Sequence, residues 1–429
     1  MEFIADMHIH SKYSRACSKD LTVQNLEKWA RVKGVNLLGT GDFTHPLWIK
    51  ELKTNLTETE KDSGFFQTKT GFNFILQTEL SLIYTHDNRG RKIHNLVYAP
   101  SFQAVDEITK ALLKRGRVDY DGRPIFKIQC PEFMEIMKSI DERIQVVPAH
   151  AWTPWFALFG ANGGFDSIKE CFQDQAKNVH AIETGLSSDP EMNWRLKQLD
   201  NINLISSSDS HSFWPWRLGR EATVFDIEPT FNSLAKALET GKGLTKTVEV
   251  NPNLGKYHLT GHRNCNVCVG PEEAKRLKNM CPKCGKELTV GVDQRIEELA
   301  DRPLGYKPEN AKPFLSLIPL SELLSQFHKK AVASKGIWEQ YNKLVNGVTS
   351  EFDVLLRKPI EEIAAATDER FAAILQENRK GKIKVRGGYD GVYGVPILDE
   401  QAEVGYQQEQ QKLMADMKKR QTGLQDFFI

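Results

Sequence analysis

Three polar residues near the start of the chain constrain its fold more than any other feature. Asp6, His8 and His10 follow a short apolar run at every second position. Side chains two positions apart in a β-strand point to the same face, so these three should project together where the strand ends. Imidazole and carboxylate groups that converge in this way can bind zinc, iron or manganese. A solvated strand end is the commoner explanation for an isolated His-x-His, so the rest of the chain has to decide.

The same arrangement recurs along the first half of the chain. Short apolar segments alternate with helical ones, which predicts parallel βα units in a barrel or an open sheet. In a barrel the carboxyl ends of the strands share one face, and that face carries the chemistry. Further polar residues stand near the predicted strand ends: Asp42, His45, Glu79, His94, His150, Glu183, Asp209 and His211. The sequence therefore predicts an α/β fold with a joint metal centre.

Composition excludes several classes of protein. The 429-residue chain has a net charge of +1, so any anionic polymer must bind to a local patch and not to a field of the whole protein. Its apolar runs are shorter than a membrane span, and its first residues do not resemble a signal peptide. We therefore expect a cytoplasmic, monomeric protein without a membrane partner, of roughly two to four domains.

Four of the seven cysteines form two Cys-x-x-Cys pairs separated by twelve residues. Two such pairs at this separation predict a tetrahedral zinc site with no open position, and therefore one structural zinc. The predicted ligands are Cys265, Cys268, Cys281 and Cys284. A redox dithiol is the alternative. The other three cysteines are scattered, which is typical of reduced thiols and not of a disulfide framework.

Aromatic side chains are concentrated next to two of the histidines. They are Trp152, Trp155 and Phe156 after His150, and Trp214 and Trp216, with Arg217, after His211; Tyr389 and Tyr393 lie further on, among glycines and cations. Aromatic residues beside a metal site can stack on bases, at about 1–3 kcal/mol for each base. Alternatively, the tryptophan and phenylalanine rings could belong to the core beneath long loops, and the two tyrosines could lie in a solvated hairpin. Two clusters beside two metal motifs favour a pocket for a nucleobase.

The last residues combine a glutamine, an aliphatic residue and two adjacent aromatics, Gln421, Leu424, Phe427 and Phe428. A short helical turn would put the three apolar side chains on one side as a hydrophobic plug. The pattern resembles a motif that docks on the sliding clamp (PCNA). The alternative is a terminal segment that folds back on its own core.

The strand-end motifs resemble those of the polymerase and histidinol phosphatase (PHP) family of phosphoesterases. The matching residues are Asp6, His8, His10, Thr40-Gly41-Asp42, Glu79, His94, His150 and Asp209-Ser210-His211. The resemblance implies a distorted (β/α)7 barrel over residues 1–248. It also implies hydrolysis by a metal-activated water, with two or three divalent metals, either zinc, manganese or magnesium.

The same resemblance implies roles for these residues. Glu79 would bridge two cations, and His211 would serve a third. The other ligands of the first two cations would be His8, His10, His94, His150 and Asp209. The implied catalytic residues are His8, His10, Glu79, His150, Asp209 and His211. Asp6 and Glu183 would support the ligands from behind.

Two departures from the family pattern affect the third cation. Where the family often has Thr-Asp-His, this chain has Gly41-Asp42-Phe43, and Arg15-Ala16-Cys17 occupies the place of a further histidine. We therefore expect Asp42 and His45 to supply that site. The alternative is that Arg15 offers a fixed positive charge in place of the metal.

The whole order of segments resembles the archaeal type of DNA repair endonuclease within this family. A zinc ribbon would span residues 249–295, a helical, basic and aromatic DNA-binding region 296–400, and a flexible clamp-binding tail 401–429. The resemblance implies a nucleoid-associated enzyme that incises damaged DNA 5′ to uracil, hypoxanthine, xanthine or an abasic site, leaving 3′-hydroxyl and 5′-phosphate ends. A small-molecule phosphoesterase and a non-catalytic, clamp-bound DNA-binding protein are the alternatives.

Overall fold

The computed structural model describes residues 1–398 as a mixed α/β structure. Its strands, in chain order, are β1 (Glu2–Asp6), β2 (Leu37–Gly39), β3 (Thr57–Glu58), β4 (Phe66–Gln67), β5 (Asn73–His86), β6 (Arg89–Ala99), β7 (Ile125–Phe126), β8 (Gln145–Pro148), β9 (Ala181–Glu183), β10 (Asn203–Ile205), β11 (Ala222–Asp226), β12 (Leu244–Glu249), β13 (Thr260–His262), β14 (Val267–Val269), β15 (Phe314–Ser316), β16 (Val385–Arg386) and β17 (Val395–Pro396). The predicted clamp-binding residues Gln421, Leu424, Phe427 and Phe428 lie outside the described residues.

The α-helices of the described part are α1 (Val23–Lys33), α2 (Pro46–Asn55), α3 (Phe102–Leu113), α4 (Cys130–Ile140), α5 (Ile168–Phe172), α6 (Pro190–Asn193), α7 (Phe231–Thr240), α8 (Pro271–Arg276), α9 (Val292–Leu299), α10 (Leu320–His328), α11 (Lys335–Leu344), α12 (Glu351–Leu356), α13 (Ile360–Ala366) and α14 (Glu369–Arg379). Within residues 1–398, none of these helices has both the length and the apolar character needed to cross a bilayer.

Eleven of the strands form one mixed sheet. β1, β2 and β5 run parallel, as the predicted βα units require, with α1 between β1 and β2. β6 then runs antiparallel to β5, and β8 antiparallel to β6. On the other side of β1 the sheet continues through antiparallel β11 and β12 to parallel β15. The alternation of strands and helices is therefore only part of the architecture.

A long hairpin between β5 and β6 is the main departure from parallel βα units. Asp87 and Asn88 at its turn both adopt a left-handed backbone, with φ of 50° and 58°. Such a turn matches the right-handed twist of the paired strands. Since β6 begins at Arg89, His94 lies within the strand, opposite Ser81, and not at a strand end.

Alternation along the strands separates the apolar side chains into two cores. Ile4 and Leu38 belong to the larger core, which the helices cover, and Phe3 and Leu37 belong to the second. Helix α1 joins the larger core through the buried residues on its inner face, and it begins at a Thr22 side chain that accepts a hydrogen bond from Asn25 N. The sheet is thus covered on both faces, which holds the ends of its strands in fixed positions.

The C-terminal helices are fastened to the first part of the chain by a buried ion pair. Lys33 Nζ lies 2.7 Å from Glu351 Oε1, and the two side chains are 1% and 0% exposed. Glu351 also accepts hydrogen bonds from Tyr341 Oη at 2.8 Å and from Leu320 N at 3.0 Å. These partners join α1, α10, α11 and α12 at one carboxylate. Together with β15 in the main sheet, they make residues 314–356 a packed part of the same body.

Candidate active site

The segment that follows β1 is held against the segment that follows β10. His10 N donates to Ser210 O at 3.0 Å, and Ser210 N donates to His8 O at 3.3 Å. This pairing brings His8 and His10 next to Asp209. Asp6 accepts hydrogen bonds from Ser208 N at 3.0 Å and from Gly219 N at 2.7 Å, and it thereby holds the segment that carries Asp209.

Two histidines and two carboxylates form the first group of metal-binding side chains. The ligand atoms of His8, His10, Glu79 and Asp209 all lie within 4.8 Å of one another. Asp209 Oδ1 is 3.4 Å from His8 Nε2 and 3.0 Å from His10 Nε2. Glu79 Oε2 is 3.5 Å and 3.2 Å from the same two nitrogens. Each imidazole thus meets both carboxylates.

A second group shares Glu79 with the first. His94 Nδ1 and His150 Nε2 lie 2.6 Å and 3.0 Å from Glu79 Oε1. One oxygen of Glu79 therefore faces the first group and the other faces the second. We refer to the six residues of both groups as the central cluster: His8, His10, Glu79, His94, His150 and Asp209. A carboxylate between two sets of ligands is suited to bridging two cations.

The residues of the central cluster fit divalent cations. The Nε2 atom of His8 is buried and has no hydrogen-bond partner in the described part of the chain, although carboxylate oxygens surround it. Five of the six side chains are buried, so their charges and lone pairs are costly to leave uncompensated. Imidazole and carboxylate ligands accept zinc and manganese, and carboxylates also accept magnesium.

Further carboxylates hold the first two histidines from the opposite side of each ring. Both oxygens of Glu183 lie 3.0 Å from His8 Nδ1, and Glu183 also accepts from His150 N at 2.7 Å. Asp42 Oδ1 lies 3.0 Å from His10 Nδ1. Such partners fix the tautomer and the orientation of a ligating imidazole. Glu183 therefore contacts the side chain of His8 and the backbone of His150 at the same time.

Three polar residues of this region adopt a left-handed backbone conformation. The φ angles of Asp42, His150 and Asp209 are 43°, 30° and 48°. A non-glycine residue in this region costs of order 1–3 kcal/mol and persists only where the surroundings enforce it. Gly185 leaves room for His150 in this conformation, because a Cβ there would come within 2.6 Å of His150 Cβ. The backbone is thus shaped to direct these side chains.

Electrostatic interactions favour the charged forms of the first group. Burial lowers the pKa of His8, but the carboxylates of Glu183, Asp209 and Glu79 outweigh burial and raise that pKa well above its usual value. Burial raises the pKa of Glu79, but its interactions with His94, Arg123 and His8 bring that pKa well below its usual value. The cluster is therefore rich in ionised carboxylate, which attracts cations.

Three other predicted residues take positions outside the central cluster. Both oxygens of Asp42 are occupied, by His10 as above and by Ser11, whose N–H donates to Oδ2 at 2.7 Å. His45 stacks on Tyr13, with ring centroids 4.3 Å apart. His211 lies beside His10, with ring centroids 4.4 Å apart. The structure brings His211 to the edge of the first group, but it does not bring Asp42 and His45 together as ligands.

An arginine that the sequence analysis missed enters the cluster. Arg123 Nη1 lies 2.9 Å from Glu79 Oε2. Arg15, the predicted cationic alternative, is 83% exposed and pairs with Asp121. Arg123 stands in an irregular loop between helices α3 and α4, where no periodic pattern points to it. Its neighbour Gly122 allows the loop to pass close to the cluster, because a Cβ there would collide with Asp42.

Beside the central cluster lies a cavity of about 610 Å³. Its walls include His94, Arg123, His150, Asp209 and His211, and of the predicted pocket residues Trp155, Phe156, Arg217 and Tyr393. Lys256, Tyr257 and Arg220 also border it, although the sequence analysis did not select them. The cavity is therefore open to the metal groups and lined with aromatic and cationic side chains.

Four of the predicted pocket aromatics lie elsewhere in the described structure. Trp152 is fully buried, and its Nε1 donates to Asn193 at 2.8 Å. Trp214 and Trp216 stack on each other with parallel rings 5.3 Å apart, and both also contact Trp338 of α11. Tyr389 packs against the ribbon. Long loops thus use these rings as core or as packing between elements.

The cysteine-rich segment also forms a metal-binding group, which we call the ribbon cluster. Its members are His262, Cys265, Cys281 and Cys284, whose ligand atoms lie within 4.8 Å of one another. Cys268, although it lies in the same described segment, is outside this group. Beneath the cluster, Val267, Val269, Ala274, Cys281 and Leu288 form a small separate core. The segment is therefore a self-contained unit around a zinc-type site.

Two solved structures share this fold and much of the sequence. The lesion-specific endonuclease PfuEndoQ from Pyrococcus furiosus is 34% identical, with a TM-score of 0.82, over 92% of this chain and 95% of that chain. An endonuclease Q in complex with a 27-mer duplex that carries an abasic lesion at the active site is 33% identical, with a TM-score of 0.83. That alignment covers 94% of this chain and 98% of that chain.

Sequence comparisons extend the likeness to two uncharacterized proteins. MJ0043 of Methanocaldococcus jannaschii is 30% identical over 325 residues, and the match spans 73% of this chain but only 38% of that longer protein. YqxK of Bacillus subtilis is 28% identical over 407 residues, 91% of this chain and 98% of that one. The family model named MJ0043 C-terminal domain matches residues 319–382.

Proposed function

The chain belongs to the endonuclease Q family of DNA repair endonucleases, and we propose that it hydrolyses the phosphodiester on the 5′ side of a damaged nucleotide. The proposed lesions are uracil, hypoxanthine, xanthine and the abasic site, and the ends left are 3′-hydroxyl and 5′-phosphate. The observation that carries the proposal is Glu79, whose two oxygens face two histidine groups beside one cavity. The relative solved with an abasic lesion at its active site supports the same use here.

We assign two divalent cations to the central cluster, with Glu79 between them. Bound there, the cations would lower the pKa of a shared water and stabilise the attacking and leaving oxygens of the phosphodiester. The residues of the chain make this possible by holding their ligand atoms fixed. Glu183 and Asp42 position His8 and His10, and Arg123 keeps Glu79 ionised. Zinc, manganese and magnesium are all compatible with the ligand set.

For a third cation the geometry favours His211 over the other candidates. His211 stands at the edge of the first group with its side chain 31% exposed, so it can meet the DNA. Asp42 is fully engaged with His10 and Ser11, and we propose that it positions His10. Catalytic roles are proposed for His8, His10, Glu79, His150, Asp209 and His211.

The cavity beside the cluster suits a nucleotide that has left the DNA stack. Enzymes that act on a damaged base commonly flip it into such a pocket. Trp155 and Tyr257 meet edge to face, with ring centroids 5.2 Å apart, and Phe156 lies against His94 at 4.7 Å. These rings offer stacking surfaces within reach of the metal groups. Arg217 and Lys256 supply positive charge for the neighbouring phosphates.

We further propose that seven strands form the distorted barrel of the PHP family, namely β1, β2, β5, β6, β8, β9 and β10. Ladder hydrogen bonds connect the first five in this order, and β9 pairs with β10. Two backbone hydrogen bonds support the remaining junctions: Ala151 N to Glu183 O at 2.9 Å, and His10 N to Ser210 O at 3.0 Å. The proposed domains are 1–248, the ribbon 249–295, the DNA-binding region 296–400 and the tail 401–429.

The sliding clamp is the proposed protein partner. Gln421, Leu424, Phe427 and Phe428 carry the motif, which is supported by sequence alone. The enzyme would act as a monomer on chromosomal DNA, since all ligands of the central cluster come from one chain. Clamp binding is tested by comparing the full chain with Phe427→Ala, Phe428→Ala in a pull-down with purified clamp, where we expect only the full chain to bind.

A nicking assay tests the proposed reaction. The substrates are duplexes with a single uracil, hypoxanthine, xanthine or abasic site, labelled at either end and incubated with zinc, manganese or magnesium. We expect a lesion-dependent nick on the 5′ side that His8→Ala, His150→Ala abolishes. His86→Ala is the matched control, because this histidine lies on the same strand as Glu79, at the distant hairpin turn, and we expect full activity.

Three other outcomes would reject the proposal in different ways. Binding of lesion DNA without any nick would favour a clamp-bound binding protein. Hydrolysis of a small phosphomonoester without a nick would favour a metabolic phosphoesterase, and removal of residues 249–429 would then leave that activity intact. A nick that persists in the double variant would locate the reaction outside the central cluster.

A further inference from the structure

We propose that the structural metal of the ribbon is held by one histidine and three cysteines, His262, Cys265, Cys281 and Cys284, and that Cys268 is not a ligand. The proposal concerns the ribbon alone and does not depend on the reaction at the central cluster. Three thiolates and an imidazole in a closed tetrahedral shell are a zinc site. The spacing of the cysteines predicts Cys268 in place of His262, so the two ligand sets can be tested against each other.

The distance between the histidine and the nearest cysteine fits a shared ion. His262 Nδ1 lies 3.5 Å from Cys284 Sγ. Zinc–nitrogen bonds of about 2.05 Å and zinc–sulfur bonds of about 2.3 Å at the tetrahedral angle separate the two ligand atoms by about 3.6 Å. A weak hydrogen bond between the imidazole and the thiol has a similar length. The conformation of the backbone around each ligand therefore has to distinguish a shared ion from such a hydrogen bond.

The second half of the cluster shows which turn the backbone makes around a ligand pair. Cys281 and Cys284 are separated by two residues, and Gly285 follows them with a left-handed φ of 70°. Gly285 N donates to Cys281 O at 2.8 Å, which closes the turn. The pattern is therefore a ligand, two residues, a cysteine and then a left-handed residue.

The first half of the cluster repeats this pattern with the histidine as its first ligand. The left-handed residue here is Asn266, with a φ of 50°, and it directly follows Cys265. The ligand three positions before Cys265 is His262. If Cys265 and Cys268 were the pair, the left-handed residue would be Val269, which instead lies in strand β14. The turn thus selects His262 and Cys265.

Strand pairing directs the Cys268 side chain away from the cluster. β13 and β14 are antiparallel, with His262 opposite Val267 and Gly261 opposite Cys268. Opposite residues share a face and successive residues alternate, so Cys268 and His262 are on different faces. Gly261 shares the face of Cys268, and a Cβ built at Gly261 would come within 2.5 Å of the ring of Tyr389. Tyr389 therefore covers this face. Cys268 therefore packs beneath the tyrosine.

Replacing a thiolate by a neutral imidazole changes the charge of the metal site. A zinc ion with three thiolates and one neutral histidine carries one unit of negative charge less than a zinc ion with four thiolates. The ribbon follows Lys256 and Tyr257, which border the cavity beside the central cluster. The less negative site repels DNA phosphates less strongly than a four-thiolate site would at the same place.

Cobalt substitution of the full chain tests the proposal. With Cys17→Ala as a common background, sulfur-to-cobalt charge-transfer absorption reports the ribbon, because the six residues of the central cluster are histidines and carboxylates. We expect Cys268→Ala to keep the full intensity and the full content of thiol-bound zinc. We expect Cys265→Ala to lose at least about a third of the intensity, and His262→Ala to lose zinc to a chelator much faster than the wild type.

A variant that adds a thiolate ligand keeps the proposal testable even if the alanine variants misfold. His262→Cys should bind one ion per ribbon through four thiolates, and its charge-transfer intensity should exceed the wild-type intensity by about a third. The proposal is overturned if Cys268→Ala loses about a quarter of the charge-transfer intensity while His262→Ala loses zinc to the chelator no faster than the wild type does. It is also overturned if His262→Cys leaves the intensity unchanged.

Discussion

The two metal-binding clusters of this chain are built in opposite ways. The central cluster gathers side chains from distant segments, between His8 and Asp209. Some of them follow the ends of strands, whereas Glu79 and His94 lie within β5 and β6. The ribbon cluster takes its ligands from one short stretch, between His262 and Cys284, around a small core of its own. The first depends on the packing of the whole sheet, whereas the second depends on two local turns.

The contrast extends to the chemistry that each cluster allows. Three members of the central cluster, His94, His150 and Asp209, border a cavity of about 610 Å³, so cations held there can accept ligands from a substrate. The ribbon cluster supplies four protein ligands, which complete a tetrahedral shell. We infer that the first site performs the reaction and the second stabilises the fold, and variants in the two clusters test this division.

The largest effect is expected for Glu79→Gln, which removes the charge that both groups of the central cluster share. Incision should fall by several orders of magnitude, because both cations lose a ligand while the shape of the site is kept. Single-turnover incision and equilibrium DNA binding should be measured on the same duplex, and binding should be nearly unchanged. The control is Glu228→Gln at an exposed glutamate. An incision rate of Glu79→Gln within about tenfold of the wild-type rate would contradict the assignment of the reaction to the central cluster.

A smaller effect is expected for Glu183→Gln, which weakens the interaction of this side chain with the His8 imidazole. Its two oxygens both lie 3.0 Å from His8 Nδ1. The loss of such a partner typically costs about 10–100-fold in metal affinity or activity. The metal concentration for half-maximal incision should rise accordingly, and saturating metal should restore most of the rate. An unchanged metal dependence would show that Glu183 does not act through His8. The thiol-bound zinc content should stay the same.

In the ribbon, Asn266→Val should affect stability and leave the reaction alone. A left-handed backbone costs an ordinary side chain about 1–2 kcal/mol, and a β-branched residue is the least suited to it. Thiol-bound zinc should therefore escape faster to a chelator, while incision with saturating metal at low temperature stays at the wild-type rate. Asn266→Gly tolerates the same φ and should retain zinc better than the valine variant. Equal zinc loss from both variants would show that the left-handed conformation of residue 266 does not determine how firmly the ribbon holds its metal.

The smallest effect concerns a buried carboxyl group outside both clusters. Burial raises the pKa of Glu249 to about 8, although Ser206 and Thr184 donate hydrogen bonds to it. Its protonated form is therefore favoured in the fold, and its contribution to stability is lost as the pH rises from about 4.5 to about 8. The melting temperature should fall over this range, and Glu249→Gln should reduce the fall without abolishing it, because burial also raises the pKa of the neighbouring Glu221. A wild-type-like profile in Glu249→Gln would contradict the assignment.

Much of the central cluster could be predicted from sequence because its positions follow local rules. His8 and His10 alternate along an extended segment, and Glu79 and His150 follow buried apolar runs. Such runs identify strands, and strand ends meet in α/β folds. His94 also adjoins an apolar run, although the β5–β6 hairpin places both Glu79 and His94 inside strands.

Other features depend on contacts that no local pattern encodes. Arg123 reaches Glu79 from an irregular loop, and Trp152 is drawn into the core by a hydrogen bond to Asn193. In the ribbon the spacing of the cysteines points to Cys268, but the position of the turn depends on which residue becomes left-handed. Asn266 takes that conformation, which asparagine tolerates better than most side chains. Spacing alone does not determine that choice.

Stepwise removal of metal tests the division between the two clusters most directly. A chelator is added in increments to the full chain, and incision of an abasic-site duplex, DNA binding and melting temperature are followed in the same samples. We expect incision to disappear first, with DNA binding and melting temperature unchanged, and to return when divalent metal is added back. Release of the thiol-bound metal should then lower the melting temperature. Incision that survives until the thiol-bound metal is released would contradict a reaction at the central cluster.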